Sequence, residues 1–325
     1  MQIGDFSRDD FLRWCDGPRP APEQNYFACF STLWGNRIAT DPALMQIPLD
    51  DHMVHRADGL FETMRVDDGA MYRWDAHFAR LAAGAETIRM PLPWSKDEMA
   101  DIMREVLRRG GKRDALLRLF VSRGGGGHTA GRAECAGPHL WILAVRRAPN
   151  FMDAHPDGAK AVTSAVPVKP GMFARVKSVG YLPNALMAEE AKAKGADFAL
   201  AYDEDGFLAE MQTENCGIVS AEGVLQVPRE DRILRGTTMQ RVLELAGEAV
   251  VAPGLVKRVE RADIPRETVE RAEELLVFGT TPVVTAAVSL DGRPVGGGKP
   301  GPVWRALTEA MKRDMREAKN LTRLL

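Results

Sequence analysis

Three kinds of side chain in this sequence have the chemistry of a covalent amine site: a lysine between apolar neighbours, a strand glutamate, and threonines beside glycines. Lys177 sits in Phe173-Ala-Arg-Val-Lys-Ser-Val-Gly-Tyr-Leu-Pro-Asn184, between a predicted strand and a predicted helix. Apolar surroundings disfavour an ammonium, and the neutral amine that results condenses with aldehydes. A solvated surface lysine is the plainer reading of this residue alone. Glu210, in Phe207-Leu-Ala-Glu-Met-Gln-Thr-Glu-Asn215, would need a cationic partner if buried, a protonated ring nitrogen being one candidate; taken alone it reads as an exposed strand glutamate.

Arg235-Gly-Thr-Thr238 stands before a predicted helix and Gly279-Thr-Thr281 after a predicted strand, so either could present backbone N–H groups to a phosphate. Ordinary N-capping by threonine explains each equally well. Arg80, one turn from His77, could supply the charged partner of the same anion, or be a solvated helix arginine. Asp50-Asp-His-Met-Val-His55 has metal-ligand chemistry, but its histidines fit no ligand spacing and no metal site is expected. Gly296-Gly-Gly-Lys-Pro300 is rejected as a phosphate loop, because Pro300 stands where a hydroxyl must meet magnesium.

The elements that must position these groups follow from periodicity and turn residues. The chain has 325 residues, 45% hydrophobic and 27% charged, with a net charge of −2. That is enough for two domains of mixed α and β structure, and it shows no basic surplus for nucleic acid. The four cysteines are scattered, with neither a zinc ribbon nor a disulfide framework, and no apolar run reaches the roughly 18 residues of a membrane span. A cytoplasmic location without a membrane partner is expected. Residues 1–25 read as an aperiodic arm, 26–146 as a small α/β domain, 147–158 as a linker, and 159–325 as a larger domain carrying Lys177.

Strands are expected at Tyr26–Phe30, Gly59–Met64, Met71–Trp74, Ala115–Ser122, Leu140–Val145, Ala159–Val168, Phe198–Tyr202, Phe207–Gln212 and Leu275–Phe278, with others near Ile218 and Val224. Helices are expected after a cap at Asp75, over Lys96–Arg109 and Pro183–Lys194, from about Thr237, and over about Pro302–Lys319.

It is the order of these motifs that narrows the reading. Asp58-Gly-Leu-Phe-Glu-Thr-Met-Arg65, His77-Phe-Ala-Arg-Leu81, Lys177-Ser-Val-Gly-Tyr-Leu-Pro-Asn184, Leu208-Ala-Glu210 with Asn215, Ile233-Leu-Arg-Gly-Thr-Thr238 and Gly279-Thr280 resemble the class IV (fold type IV) aminotransferases. The resemblance runs from about Tyr26 to the end of the chain. Thr40-Asp-Pro-Ala-Leu-Met and Pro48-Leu-Asp-Asp-His-Met-Val-His55 look most like the D-amino acid aminotransferase and aminodeoxychorismate lyase group.

This resemblance implies a two-domain α/β fold with pyridoxal 5′-phosphate between the domains, working as a homodimer. It implies that Lys177 holds the cofactor covalently and moves the substrate Cα proton, and that Glu210 pairs with the pyridine nitrogen. It also implies that Arg80, Thr237, Thr238 and Thr280 hold the phosphate and that Tyr181 reaches the phenolic oxygen. The activity implied is amino transfer between a D- or branched-chain amino acid and a 2-oxo acid. Two alternatives stand beside it: elimination from aminodeoxychorismate to give 4-aminobenzoate and pyruvate, and a non-catalytic binder of a phosphorylated ligand, which would need neither Lys177 nor Glu210.

Departures from the family pattern leave substrate and stereochemistry open. His128 falls where D-amino acid aminotransferases carry a carboxylate-binding arginine, and Ala130 where they carry a histidine. Gly180 replaces the usual asparagine, and Pro282-Val283 interrupts the customary Ala-Ala-Glu. Arg65, Arg123, His128 and Arg132 are the candidates for contacting a substrate carboxylate.

Overall fold

A computed structural model describes residues 4–325. They fall into two compact units that are discontinuous in sequence. The first holds residues up to Met71, Met90–Arg147 and Arg323–Leu325, and the second holds Tyr72–Arg89 and Ala148–Thr322. Residues 72–89 thus leave the stretch 26–146 and carry Arg80 into the unit that contains Lys177.

The first unit is built on an antiparallel sheet in which Gly59–Asp67 pairs with Ala115–Ser122, which pairs in turn with His139–Val145 and then Tyr26–Ser31. Leu117, Leu119 and Val121 alternate inward on the second of these strands, as the two-residue pleat requires. The Lys96–Gly110 helix covers the sheet with Met99, Met103, Val106 and Leu107. It starts with a capping box in which Ser95 and Glu98 satisfy each other's backbone N–H, and it ends on Gly111 in the left-handed region.

The run Gly124–Gly127 is needed because the chain after it folds back on top. A Cβ on Gly124 would lie 1.9 Å from the Gly137 carbonyl oxygen, and one on Gly126 would lie 2.1 Å from that of Glu134.

In the second unit, strands Asn215–Val219, Glu274–Gly279, Val283–Leu290, Ala159–Thr163, Phe198–Tyr202 and Leu208–Met211 pair successively. The ring is completed where Asn215 pairs with Glu210, so the candidate carboxylate lies on the closing pair. One face of these strands buries Phe198, Leu200, Cys216, Ile218, Leu275 and Val277 together. The Thr237–Ala246 and Pro302–Asp314 helices pack Met239, Val242, Leu307 and Met311 on Leu276 and Phe278 of the other face. The second helix is seated by Glu274, whose two oxygens accept from the N–H groups of Val303 and Trp304 at 2.8 Å each.

Several expected boundaries move. The stretch taken as an aperiodic arm contains a helix, Arg8–Cys15, closed by a Ser7/Asp10 capping box and burying none of its residues. Asp75 is not the cap of the next long helix: that helix is Trp74–Thr87, and its N-cap is Arg73 in the left-handed region at φ 52°. The strand before it is accordingly Ala70–Tyr72. The strand starting at Ala159 stops at Thr163, where the Asp291 side chain takes the Thr163 N–H and hydroxyl. The last helix ends at Asp314, the buried carboxylate of which is claimed by Tyr72 at 2.5 Å and by Arg241. Among the described residues, no helix is long and apolar enough to cross a membrane.

Candidate active site

Lys177 is half-buried, in irregular backbone between a single helical turn at Gly171–Phe173 and the Leu182–Ala193 helix. Ala174 and Val176 are buried beside it and anchor this stretch. Its Nζ lies 3.4 Å from the Tyr181 hydroxyl. The start of the following helix is tied to the next hairpin by Asn184, whose amide donates to the Gln212 carbonyl at 2.5 Å. The loop that carries the lysine therefore inherits its position from a helix and a sheet.

Glu210 is fixed by its cross-strand partner. Asn215 Nδ2 donates to Glu210 Oε1 at 2.9 Å and to the Leu234 carbonyl at 2.8 Å, while the Leu234 N–H donates to the same Oε1 at 2.8 Å. Both bonds to the carboxylate fall on Oε1, and Glu210 lines the cleft described below. Burial pushes the Glu210 carboxyl up to about 7, against the pull of the Leu234 N–H and the charges of Lys169, Lys177 and Arg80. A carboxyl so placed becomes fully ionised when a cation meets it.

Two residues after Leu234, Gly236 opens the Thr237–Ala246 helix without any side-chain cap. The first N–H groups of that helix and the hydroxyls of Thr237 and Thr238 are thus available to an anion. Gly236 cannot be replaced cheaply, since a Cβ there would lie 1.8 Å from Asn215 Oδ1. Arg80 donates to the Arg235 carbonyl at 3.3 Å, and His77 Nε2 lies 3.3 Å from Thr237 Oγ1, so the Trp74–Thr87 helix is clamped to this helix start. Thr280 lies in the turn between Glu274–Gly279 and Val283–Leu290, in which Val283 takes a strained φ of 56°.

One cleft of the second unit brings together Arg80, Lys177, Glu210, Thr237, Thr238 and Thr280, and Tyr181 borders it through Lys177. A carboxylate, an anion cradle and an amine lining one cleft suit a flat ligand that has a basic ring nitrogen, a phosphate and a carbonyl. Two groups were missed from the sequence. Lys169 places Nζ 5.0 Å from the centre of the Tyr181 ring, and burial draws its ammonium down. Glu214 lines the cleft beside Lys177. Lys169 had no signal in its neighbours, and Glu214 lies in the bend between Leu208–Met211 and Asn215–Val219, where the pleat of Glu210 does not carry over.

The four candidates for a substrate carboxylate all belong to the first unit. Arg123 is buried and grips Asp58 through Nε and Nη2 at 3.1 Å each, and Arg132 reaches the same carboxylate at 3.0 Å. Two guanidiniums on one carboxylate leave a net positive cluster. Arg65 is paired with Asp67, which also takes Arg147 at 3.0 Å. The His128 ring lies 5.4 Å from that of His55, and its carbonyl accepts from Arg56. His52 and His55 put their Nε2 atoms 3.0 and 3.1 Å from the carbonyls of Gly126 and Asp50.

Comparison with known proteins shows the family to which the chain belongs. The family model for amino-transferase class IV matches residues 59–290. A chloroplastic D-amino-acid transaminase of Arabidopsis thaliana is 37% identical over 303 residues, 93% of this chain and 80% of that protein. A putative branched-chain-amino-acid aminotransferase of Methanocaldococcus jannaschii is 30% identical over 270 residues, 82% of this chain and 90% of that one. Among solved structures, the T.th. branched-chain amino acid aminotransferase complexed with N-(5′-phosphopyridoxyl)-L-glutamate superposes with a TM-score of 0.81 at 25% identity, covering 92% of this chain and 99% of that chain. A match spanning most of the chain, joined to a relative at 37% identity, establishes that the chain belongs to the class IV aminotransferase family and is a transaminase of fold type IV.

Proposed function

We propose that this chain moves an amino group between a D- or branched-chain amino acid and a 2-oxo acid, using pyridoxal 5′-phosphate held at Lys177, as a homodimer in the cytoplasm. The observation that carries the reading is the pairing of Lys177 with an anchored Glu210 in one cleft with an uncapped helix start. The residues fit the cofactor. Glu210 supplies a carboxylate for a protonated ring nitrogen, and Gly236, Thr237 and Thr238 with Arg80 form a cradle for phosphate. Thr280 completes that cradle, and Tyr181 lies on the amine side of the cleft. The bound cofactor supplies an aldehyde for amines and a ring that accepts electrons from the substrate Cα.

The protein's own contribution is geometric and protonic. With the cofactor bound, Lys177 Nζ would take the proton from the substrate Cα and return it, acting as the general base and then the general acid. Its range is limited by the Tyr181 hydroxyl at 3.4 Å. Glu210 stays ionised opposite a ring cation and so keeps that cation protonated. The net positive cluster of Arg123 and Arg132 on Asp58 supports carboxylate recognition by the first unit, with Arg65 and His128 as further contacts. The relatives named above are transaminases, and no observation favours the lyase reaction over amino transfer.

The test is spectroscopic and then kinetic. The purified protein with pyridoxal phosphate should be yellow, and Lys177→Ala should lose the band and at least about 10²-fold of its activity, the lower end of what a general base contributes. A colourless wild-type protein that ignores added cofactor refutes the reading. A panel of D- and L-amino acids with pyruvate or 2-oxoglutarate, run beside aminodeoxychorismate, identifies the substrate; keto acid formed without an acceptor would mark a lyase.

A further inference from the structure

Glu214 is the charged group of the cleft to which the cofactor assignment gives no role. It packs against the Gly279 turn so closely that a Cβ on Gly279 would lie 3.1 Å from its Cγ. Both its oxygens are held by one residue: the Thr213 hydroxyl donates to Oε1 and the Thr213 N–H to Oε2, at 3.1 Å. Among the described residues Glu214 joins no ion pair, and Lys177 is the cation whose charge bears on it. The other titratable groups are the Tyr181 hydroxyl 3.4 Å from Lys177 Nζ, Arg80 on the Trp74–Thr87 helix and Glu210 on the neighbouring strand, and Lys169 acts on Glu210. The groups from the Thr237–Ala246 helix and the Gly279 turn are uncharged.

We infer that Glu214 is a positioning residue for Lys177, the carboxylate that decides when the nitrogen on that side chain carries a proton. The inference rests on the function proposed above. Ionised Glu214 favours the protonated nitrogen, and neutral Glu214 releases the proton. Burial raises the pKa of Glu214, so this change of state is brought toward neutral pH. The two-point hold by Thr213 keeps the carboxylate from swinging to solvent.

The experiment is a pH titration of the visible absorbance of the cofactor-loaded enzyme, which reads the proton on the Lys177 nitrogen independently of turnover. Glu214→Gln should lower the midpoint by about one pH unit, the lower end of what a nearby opposite charge contributes, and Glu214→Asp should restore most of it. Should Glu214→Gln fail to fold, Thr213→Val serves, because loss of the hydroxyl donor weakens the ionised form and moves the midpoint in the same direction by less. Unchanged midpoints in folded variants overturn the inference while leaving the function intact. A wild-type protein without a visible band overturns the function first.

Discussion

Replacing Glu210 with glutamine should make the cofactor-free protein more stable and the loaded protein worse at holding its ligand. The Glu210 carboxyl moves from its ordinary 4.5 to about 7 because it is buried. A group whose folded pKa is raised binds its proton more tightly in the folded state, so folding gains nothing below 4.5, loses stability as pH climbs through the interval, and carries the full cost above 7. A shift of that size corresponds to about 3 kcal/mol. Glutamine keeps an oxygen for the Leu234 N–H and Asn215 Nδ2, so the two bonds at 2.8 and 2.9 Å survive and only the charge is removed.

Urea unfolding of cofactor-free wild type and Glu210→Gln at pH 4.5 and pH 8 isolates this contribution, because every other titrating group cancels in the difference. The variant should match wild type at pH 4.5 and exceed it by about 2–3 kcal/mol at pH 8, with equal m-values. The order should reverse with pyridoxal phosphate present, since the new NH₂ faces a ring N–H that it cannot accept from. Equal differences at both pH values would refute the reasoning: Glu210 would then be solvated and poorly suited to its ring partner.

Two further outcomes test the framework. Gly236→Ala should push Asn215 from its place and loosen both Glu210 and the helix start, weakening cofactor binding by about 10-fold or more for the loss of one charge-assisted hydrogen bond, read by fluorescence titration. Asp58→Asn should cost about 3 kcal/mol in chemical unfolding because it takes a carboxylate charge away from the buried Arg123 guanidinium, whereas Arg132→Ala, at the half-exposed partner, should cost under about 1 kcal/mol; equal losses would contradict the pairing.

Elements with strong local signals were legible in the sequence. The helix expected over Lys96–Arg109 is found as Lys96–Gly110, and the strand expected over Ala115–Ser122 is found with those bounds. The Arg8–Cys15 helix carried a capping box at Ser7 and Asp10 but no core-facing stripe to draw notice, and it buries nothing. The start at Trp74 was hidden because Arg73 adopts a left-handed conformation that its side chain does not advertise. Within the site, Lys177, Glu210 and the threonines could be found from motif order. The pairing of Asp58 with Arg123 and Arg132, 65 and 74 residues away, could not, because only the closed sheet decides it. The same holds for Lys169, which meets the Tyr181 ring through a turn without a periodic signal.

The amide of Asn215 joins the strand that bears Glu210 to the segment that starts the Thr237 helix. The site thereby acts as a caliper: the jaw that meets a ring nitrogen and the jaw that meets a phosphate cannot open independently, and their spacing is set before any ligand arrives. A cofactor analogue with its phosphate on an arm one carbon longer should therefore be rejected even though every recognised group is present.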